Sequence, residues 1–118
     1  MKRYFQLARS MALKSPSKFR LGAIVVYKNS IIGTGFNWMN KTHPITQKFS
    51  KLPFPIGINA EINAILATDP ADLRGAEVYV YRVKRNGNPA LARPCNMCQN
   101  YLRSMGIKRV HYSTETTF

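Results

Sequence analysis

The succession of hydrophobic patterns predicts an α/β domain with a mixed sheet that starts as an antiparallel hairpin and carries helices packed over it. Three observations predict it. Helical and extended periodicities alternate along the 118 residues. Two β-rich runs, Leu21–Tyr27 and Ile31–Phe36, are separated only by Lys28-Asn29-Ser30, the signature of a tight hairpin. The last three elements read strand, helix, strand, a crossover whose strands run parallel with a right-handed connection. The length suits one domain, residues 1–118, with a modest core.

Tyr4, Leu7, Ala8 and Met11 recur at three and four residues, so residues 2–14 are expected to form an amphipathic helix that Ser15-Pro16-Ser17 stops. After the hairpin, residues 37–57 lack periodicity and hold Trp38, His43 and the prolines Pro44, Pro53 and Pro55. They read as a long structured loop, and such loops usually carry function. Residues 59–68 form a helix with Ile62, Ile65 and Leu66 on one face, ended by Asp69-Pro70. Val78–Tyr81 is apolar on both faces and reads as a central strand. Lys84–Arg93 is a polar loop. Pro94 then opens a helix bearing Met97, Tyr101, Leu102 and Met105 up to Gly106, and Ile107–Ser113 is the final strand.

Composition narrows the function classes. The chain is 45% hydrophobic and 19% charged, which suits a folded globule, and no apolar run approaches a membrane span. The start is basic, but Gln6, Arg9, Ser10 and Lys14 interrupt any signal-like segment, so a cytoplasmic location is expected. Eighteen Lys and Arg face five acids, for a net charge of +13, and residues 1–60 hold no Asp or Glu. A field of that sign attracts phosphate on nucleotides or along single-stranded nucleic acid. The plainer reading is a solubility charge, and the scatter of cations from Lys2 to Arg109 shows no discrete stripe.

The chemistry-bearing residues sit in two short motifs, Asn59-Ala60-Glu61 and Pro94-Cys95-Asn96-Met97-Cys98. The two cysteines are the only ones, and their spacing indicates metal or redox chemistry rather than a disulfide framework. At the first turn of a helix both sulfurs share one side, and the helix N-terminus favours thiolate, the form that binds zinc. Glu61 begins the preceding helix. It is the one acid placed to shuttle protons beside a metal; the plainer reading is a helix-start glutamate that satisfies the dipole. The signature H-x-E…P-C-x-x-C marks zinc-dependent nucleobase deaminases. Here the second half is intact, and asparagine stands where histidine is usual.

On these motifs the chain resembles the cytidine and deoxycytidylate deaminase superfamily, in particular its short single-domain phage members. The resemblance extends over Gly22-Ala23-Ile24-Val25-Val26, Gly35-Phe36-Asn37, Lys41-Thr42-His43-Pro44, Asn59–Ile65, Pro94–Cys98 and Gly106–Val110. It implies a three-layer cytidine deaminase-like fold and hydrolytic deamination of cytosine to uracil in a nucleotide of the dCMP or cytidine type. It also implies zinc as cofactor, held by Cys95 and Cys98, with Glu61 as proton shuttle. Asn37 matches a residue that contacts the sugar or base, while Ala60 and Pro94 line the site through their backbones. Asn59 matches the third ligand in place but not in kind.

A neutral amide is a poor zinc donor beside imidazole or thiolate. Asn59 is therefore read as an introduced substitution, as a position bypassed by a substitute ligand such as His43, or as the mark of a relative that keeps the fold without the reaction. His43 otherwise shapes the pocket or meets a phosphate. Two alternatives accompany the nucleotide deaminase: a deaminase acting on single-stranded DNA or RNA, and a catalytically impaired deaminase-like protein that binds nucleic acid. Phe36, Trp38 and Phe54 are candidates for stacking on a base, or for core. Arg82-Lys84-Arg85 reads as a solvated face, with phosphate contact as the lesser reading. His111 reads as packed or edge. Superfamily members usually continue with a further helix and strand, so the fold is expected to be shortened at its C-terminus. Its open last strand would favour a homo-oligomer.

Overall fold

Burial on both faces marks the two strands at the heart of the sheet. In β1 (Arg20–Tyr27), Ala23, Ile24 and Val25 are fully buried; in β3 (Glu77–Val83) every residue from Val78 to Tyr81 is buried. The computed structural model describes residues 2–16, 19–37, 60–94 and 96–117. Its elements are α1 (Lys2–Ala12), β1, β2 (Ser30–Phe36), α2 (Ala60–Leu66), β3, β4 (Pro89–Ala90), α3 (Asn96–Ser104) and β5 (Arg109–Tyr112). No helix among the described residues is long and apolar enough to cross a membrane.

β1 pairs antiparallel with β2 on one side and with β3 on the other. The far edge of β3 is shared. β5 runs parallel to its first half, from Glu77↔Arg109 to Val80↔Tyr112, and β4 pairs antiparallel with Arg82 and Val83. The β1–β2 turn has two residues, Lys28 and Asn29, both at positive φ (49° and 64°). That is the primed geometry matched to strand twist, so Ser30 belongs to β2 opposite Tyr27 rather than to the turn. The parallel crossover expected through the last helix is present.

Alternation along the strands builds two cores. Ile24, Val26, Tyr79, Tyr81 and Val83 face α1, meeting Tyr4, Phe5, Ala8 and Ala12. Ala23, Val25, Val78 and Val80 face the other way, against Ile62, Ala64 and Ile65 of α2 and Tyr101 and Leu102 of α3. The result is a three-layer α/β sandwich. Burial of each Ile, Leu or Val side chain stabilises it by about 1.5–3 kcal/mol.

Helix α1 ends earlier than periodicity suggests. Lys14 N and Ser15 N donate to the carbonyls three residues back, Met11 and Ala12, tightening the last turn. The last strand is also shorter at its start, because Ile107 N donates to Leu102 O and closes α3 instead. β4 lies inside the segment read as loop; two residues opened by a proline carry no strand period. His111 packs on the α1 face, stacked on Tyr79 at 4.4 Å between centroids, with Nε2 2.8 Å from Glu77 Oε1.

Candidate active site

The register sets several segments in a row at one end of the sheet. Phe36, closing β2, lies opposite Gly22; Arg20, opening β1, lies opposite Val83 at the close of β3. α2 starts over this row. Its Asn63 Nδ2 donates to Phe36 O at 2.9 Å, while Thr68, past its other end, reaches back toward Gly33. α3 starts at the same end, because Ala92 N donates to Ser113 O at 2.9 Å and Ser113 N donates to Val80 O at 2.9 Å. The starts of both helices, and hence the positive ends of their dipoles, therefore share one end and one face of the sheet.

Glu61 lies in the first turn of α2 and is 3% exposed; Ala60 beside it is fully buried. A carboxylate so enclosed is costly unless hydrogen bonds or charge compensate it, which suits a group kept for chemistry. The seat of α2 depends on Gly35. A methyl there would overlap the Ala64 backbone nitrogen and lie 2.8 Å from the Asn63 carbonyl carbon. Only glycine lets the helix approach the strand this closely.

Asn37 follows β2 and is 4% exposed. Its Oδ1 accepts from Leu21 N at 2.9 Å and lies 2.6 Å from Ser15 Oγ, and its Nδ2 donates to Phe19 O. One side chain thereby ties the α1–β1 connection to the end of β2. Sequence reading assigns Asn37 only a substrate contact; this clamp had no signal, since its partners are mostly backbone groups.

Pro94 is buried ahead of α3, and its carbonyl accepts from Gln99 Nε2 at 2.8 Å. Cys98 stands in the first turn of α3. Ser113 steadies the approach to this helix. It is fully buried, accepts from Arg82 N at 3.0 Å and donates to Ala90 O at 2.7 Å. Neither Ser113 nor Asn63 stands out in the sequence, because each acts through a backbone partner distant along the chain.

Asn59, Cys95 and His43 lie outside the described residues, as do Trp38 and Phe54. The donor set can still be weighed by its chemistry. Two thiolates from a Cys-x-x-Cys at a helix start suit zinc, and a buried glutamate stands on the neighbouring helix. The amide of Asn59 is the weak member, so the set fits a metal held chiefly by sulfur.

Comparison with known proteins shows the family and the fold. Residues 1–114 match the family described as the cytidine and deoxycytidylate deaminase zinc-binding region, and the chain belongs to that family. It is 29% identical over 129 aligned positions to the deoxycytidylate deaminase of Mycobacterium phage D29, covering 96% of this chain and 93% of the relative. To the deoxycytidylate deaminase of Mus musculus it is 31% identical over 119 positions, covering 88% of this chain and 61% of that protein. Among solved structures, the apo dCMP deaminase of cyanophage S-TIM5 superposes with a TM-score of 0.65 at 24% identity, covering 98% of this chain and 82% of its own. The cytidine deaminase of Mycobacterium tuberculosis has a TM-score of 0.56 at 17% identity, covering 93% and 80%. These structural likenesses confirm the cytidine deaminase-like fold.

Proposed function

We propose that this protein deaminates cytosine to uracil hydrolytically in a cytosine nucleotide, with Glu61 as the proton shuttle. The observation that carries the reading is the burial of Glu61 in the first turn of α2, at the sheet end where the Cys-x-x-Cys helix also begins. Deoxycytidylate deaminases recur among the relatives, and the cyanophage enzyme has been solved in complex with dCMP and dUMP.

Cys95 and Cys98 would hold zinc, with Asn59 as a weak third donor. Zinc at such a site supplies Lewis acidity, bringing the pKa of a water toward neutrality. Glu61 takes a proton from the attacking water and delivers it to ring N3 as the new C–O bond forms at C4. It then moves the hydroxyl proton to the exocyclic amine, the C4–N4 bond breaks, and ammonia leaves. Water and cytosine are consumed; uracil and ammonia are formed. Enclosure of the carboxylate limits proton exchange with bulk water during these transfers. Asn37, held by Leu21, Ser15 and Phe19, would offer its second amide hydrogen to the sugar or base. Ala60 and Pro94 would wall the base through their backbones.

Ammonia release from dCMP and cytidine tests the reading, with uracil nucleotide quantified in parallel. Release by the unsubstituted chain and its loss in Glu61→Ala are expected. No release from any cytosine substrate, in a folded protein loaded with zinc, overturns it.

A further inference from the structure

Arg20, Arg82, Lys84, Arg85 and Arg93 stand at the sheet end where α2 and α3 begin, while Lys28, Arg74, Arg103, Lys108 and Arg109 stand toward the other end. An open groove of about 360 Å³ lies at the first of these ends, lined by Phe19, Leu21, Arg82, Leu91, Ala92 and Arg93. It continues around Phe19 and Arg82 into a second hollow bounded by Lys84 and Arg85. Strand alternation turns Arg82 to the same face as Val78 and Val80, the face that carries both helices. The groove adjoins the proposed site through the backbone at two points. Phe19 O accepts from Asn37, and Ala92-Arg93 runs directly into Pro94.

Its chemistry is mixed in a specific way. Phe19 is 56% exposed and Leu91 52%, although both are large apolar side chains that water disfavours. The Arg82 guanidinium stands 5.0 Å from the Phe19 ring centroid, and Arg93, Lys84 and Arg85 are exposed around it. Acidic balance is nearly absent. Of the five carboxylates, only Glu115 comes close, 3.4 Å from Lys84 Nζ. Glu61 is enclosed in α2, Glu77 lies at the opposite end of the sheet, and Asp69 and Asp72 follow the far end of α2.

We propose that this groove binds single-stranded nucleic acid, with bases stacked over Phe19 and Leu91 and phosphates met by Arg82, Lys84, Arg85 and Arg93. One half-exposed phenyl ring and an exposed leucine set among cations suit a strand whose bases are splayed out; a duplex keeps its base faces covered. A mononucleotide brings one phosphate group, whereas these cations line two adjoining hollows. The inference deepens the deaminase reading by making the nucleotides flanking a target cytosine part of the ligand. It rests on that reading only for which base enters the site.

The test is fluorescence anisotropy with a labelled oligothymidylate of about 15 nucleotides, titrated between about 50 and 200 mM salt. Turnover plays no part, so failure of the deaminase reading and failure of this one are separable. Affinity should fall steeply with salt. Phe19→Ala should weaken binding by roughly tenfold with the salt slope unchanged, and Phe19→Trp should restore it. Arg85→Ala and Arg93→Ala should each lower the slope by about 0.7. Thermal melts of these exposed-site variants confirm folding. No oligonucleotide binding at the lowest salt overturns the proposal. So does binding indifferent to Phe19 and matched by inorganic polyphosphate, or binding that dCMP alone reproduces with equal affinity.

Discussion

The side-chain amide of Asn63 donates to the backbone carbonyl of Phe36 at 2.9 Å, pinning the first turns of α2 to the end of β2. Asn63 stands two residues after Glu61, and Phe36 directly precedes Asn37, so the bond links two proposed site residues through their own elements. Removing it leaves a partly buried carbonyl without that donor, at a cost of about 1 kcal/mol. Asn63→Ala is expected to lower kcat/KM for dCMP by about tenfold, beyond what its thermal shift of about 4–8 °C explains. Steady-state kinetics beside a thermal melt checks this; unchanged kcat/KM contradicts it.

Gly35 makes a second, independent demand on the same helix. Its missing side chain is where the backbone of Asn63 and Ala64 sits, so Gly35→Ala must push α2 outward or bend β2. Overpacking of this kind typically costs about 1–3 kcal/mol. The displacement falls on the helix that carries Glu61, so activity should drop by more than the folded fraction does. Melting temperature and specific activity, measured on one preparation, test the pair of expectations.

Much of the fold was legible because period and burial agree. β1 and β3 are apolar on both faces, and a two-sided core is the only place such strands can lie. The hairpin was legible from Lys28-Asn29, where asparagine tolerates the left-handed region. β4 was not, because Pro89-Ala90 is too short to show alternation and is held by Arg82, Val83 and Ser113. Glu61 and the cysteines were legible as motif residues. The clamp around Asn37 and the anchoring by Ser113 were not, since both bond to backbone groups that sequence does not distinguish. The basic groove was hidden for a related reason: Phe19, Arg82 and Arg93 meet only after β1 and β3 pair.

Acid should reveal the hydrogen bond between His111 and Glu77 at the far end of the sheet. The His111 hydrogen bond holds the Glu77 carboxyl below its ordinary value of 4.5, against the opposing effect of partial burial; the positive charges of His111, Lys108 and Arg109 act in the same direction as the hydrogen bond. A depressed carboxyl contributes stability that is present above 4.5 and lost as pH falls through the lowered value. With about a third of the Glu77 side chain in solvent, the contribution is under about 1 kcal/mol. Melting temperatures of the unsubstituted chain and Glu77→Gln should differ at neutral pH and converge in acid. A gap that stays constant with pH contradicts the assignment.

The most direct test of the central claim combines zinc analysis with ammonia release from dCMP in the unsubstituted chain, Asn59→His, and Asn59→His with Glu61→Ala. The predicted result is that Asn59→His raises bound zinc toward about one per chain and raises turnover, while adding Glu61→Ala keeps the zinc and abolishes release. If Asn59→His gains neither zinc nor activity, the two cysteines, residue 59 and Glu61 do not form one deaminase site.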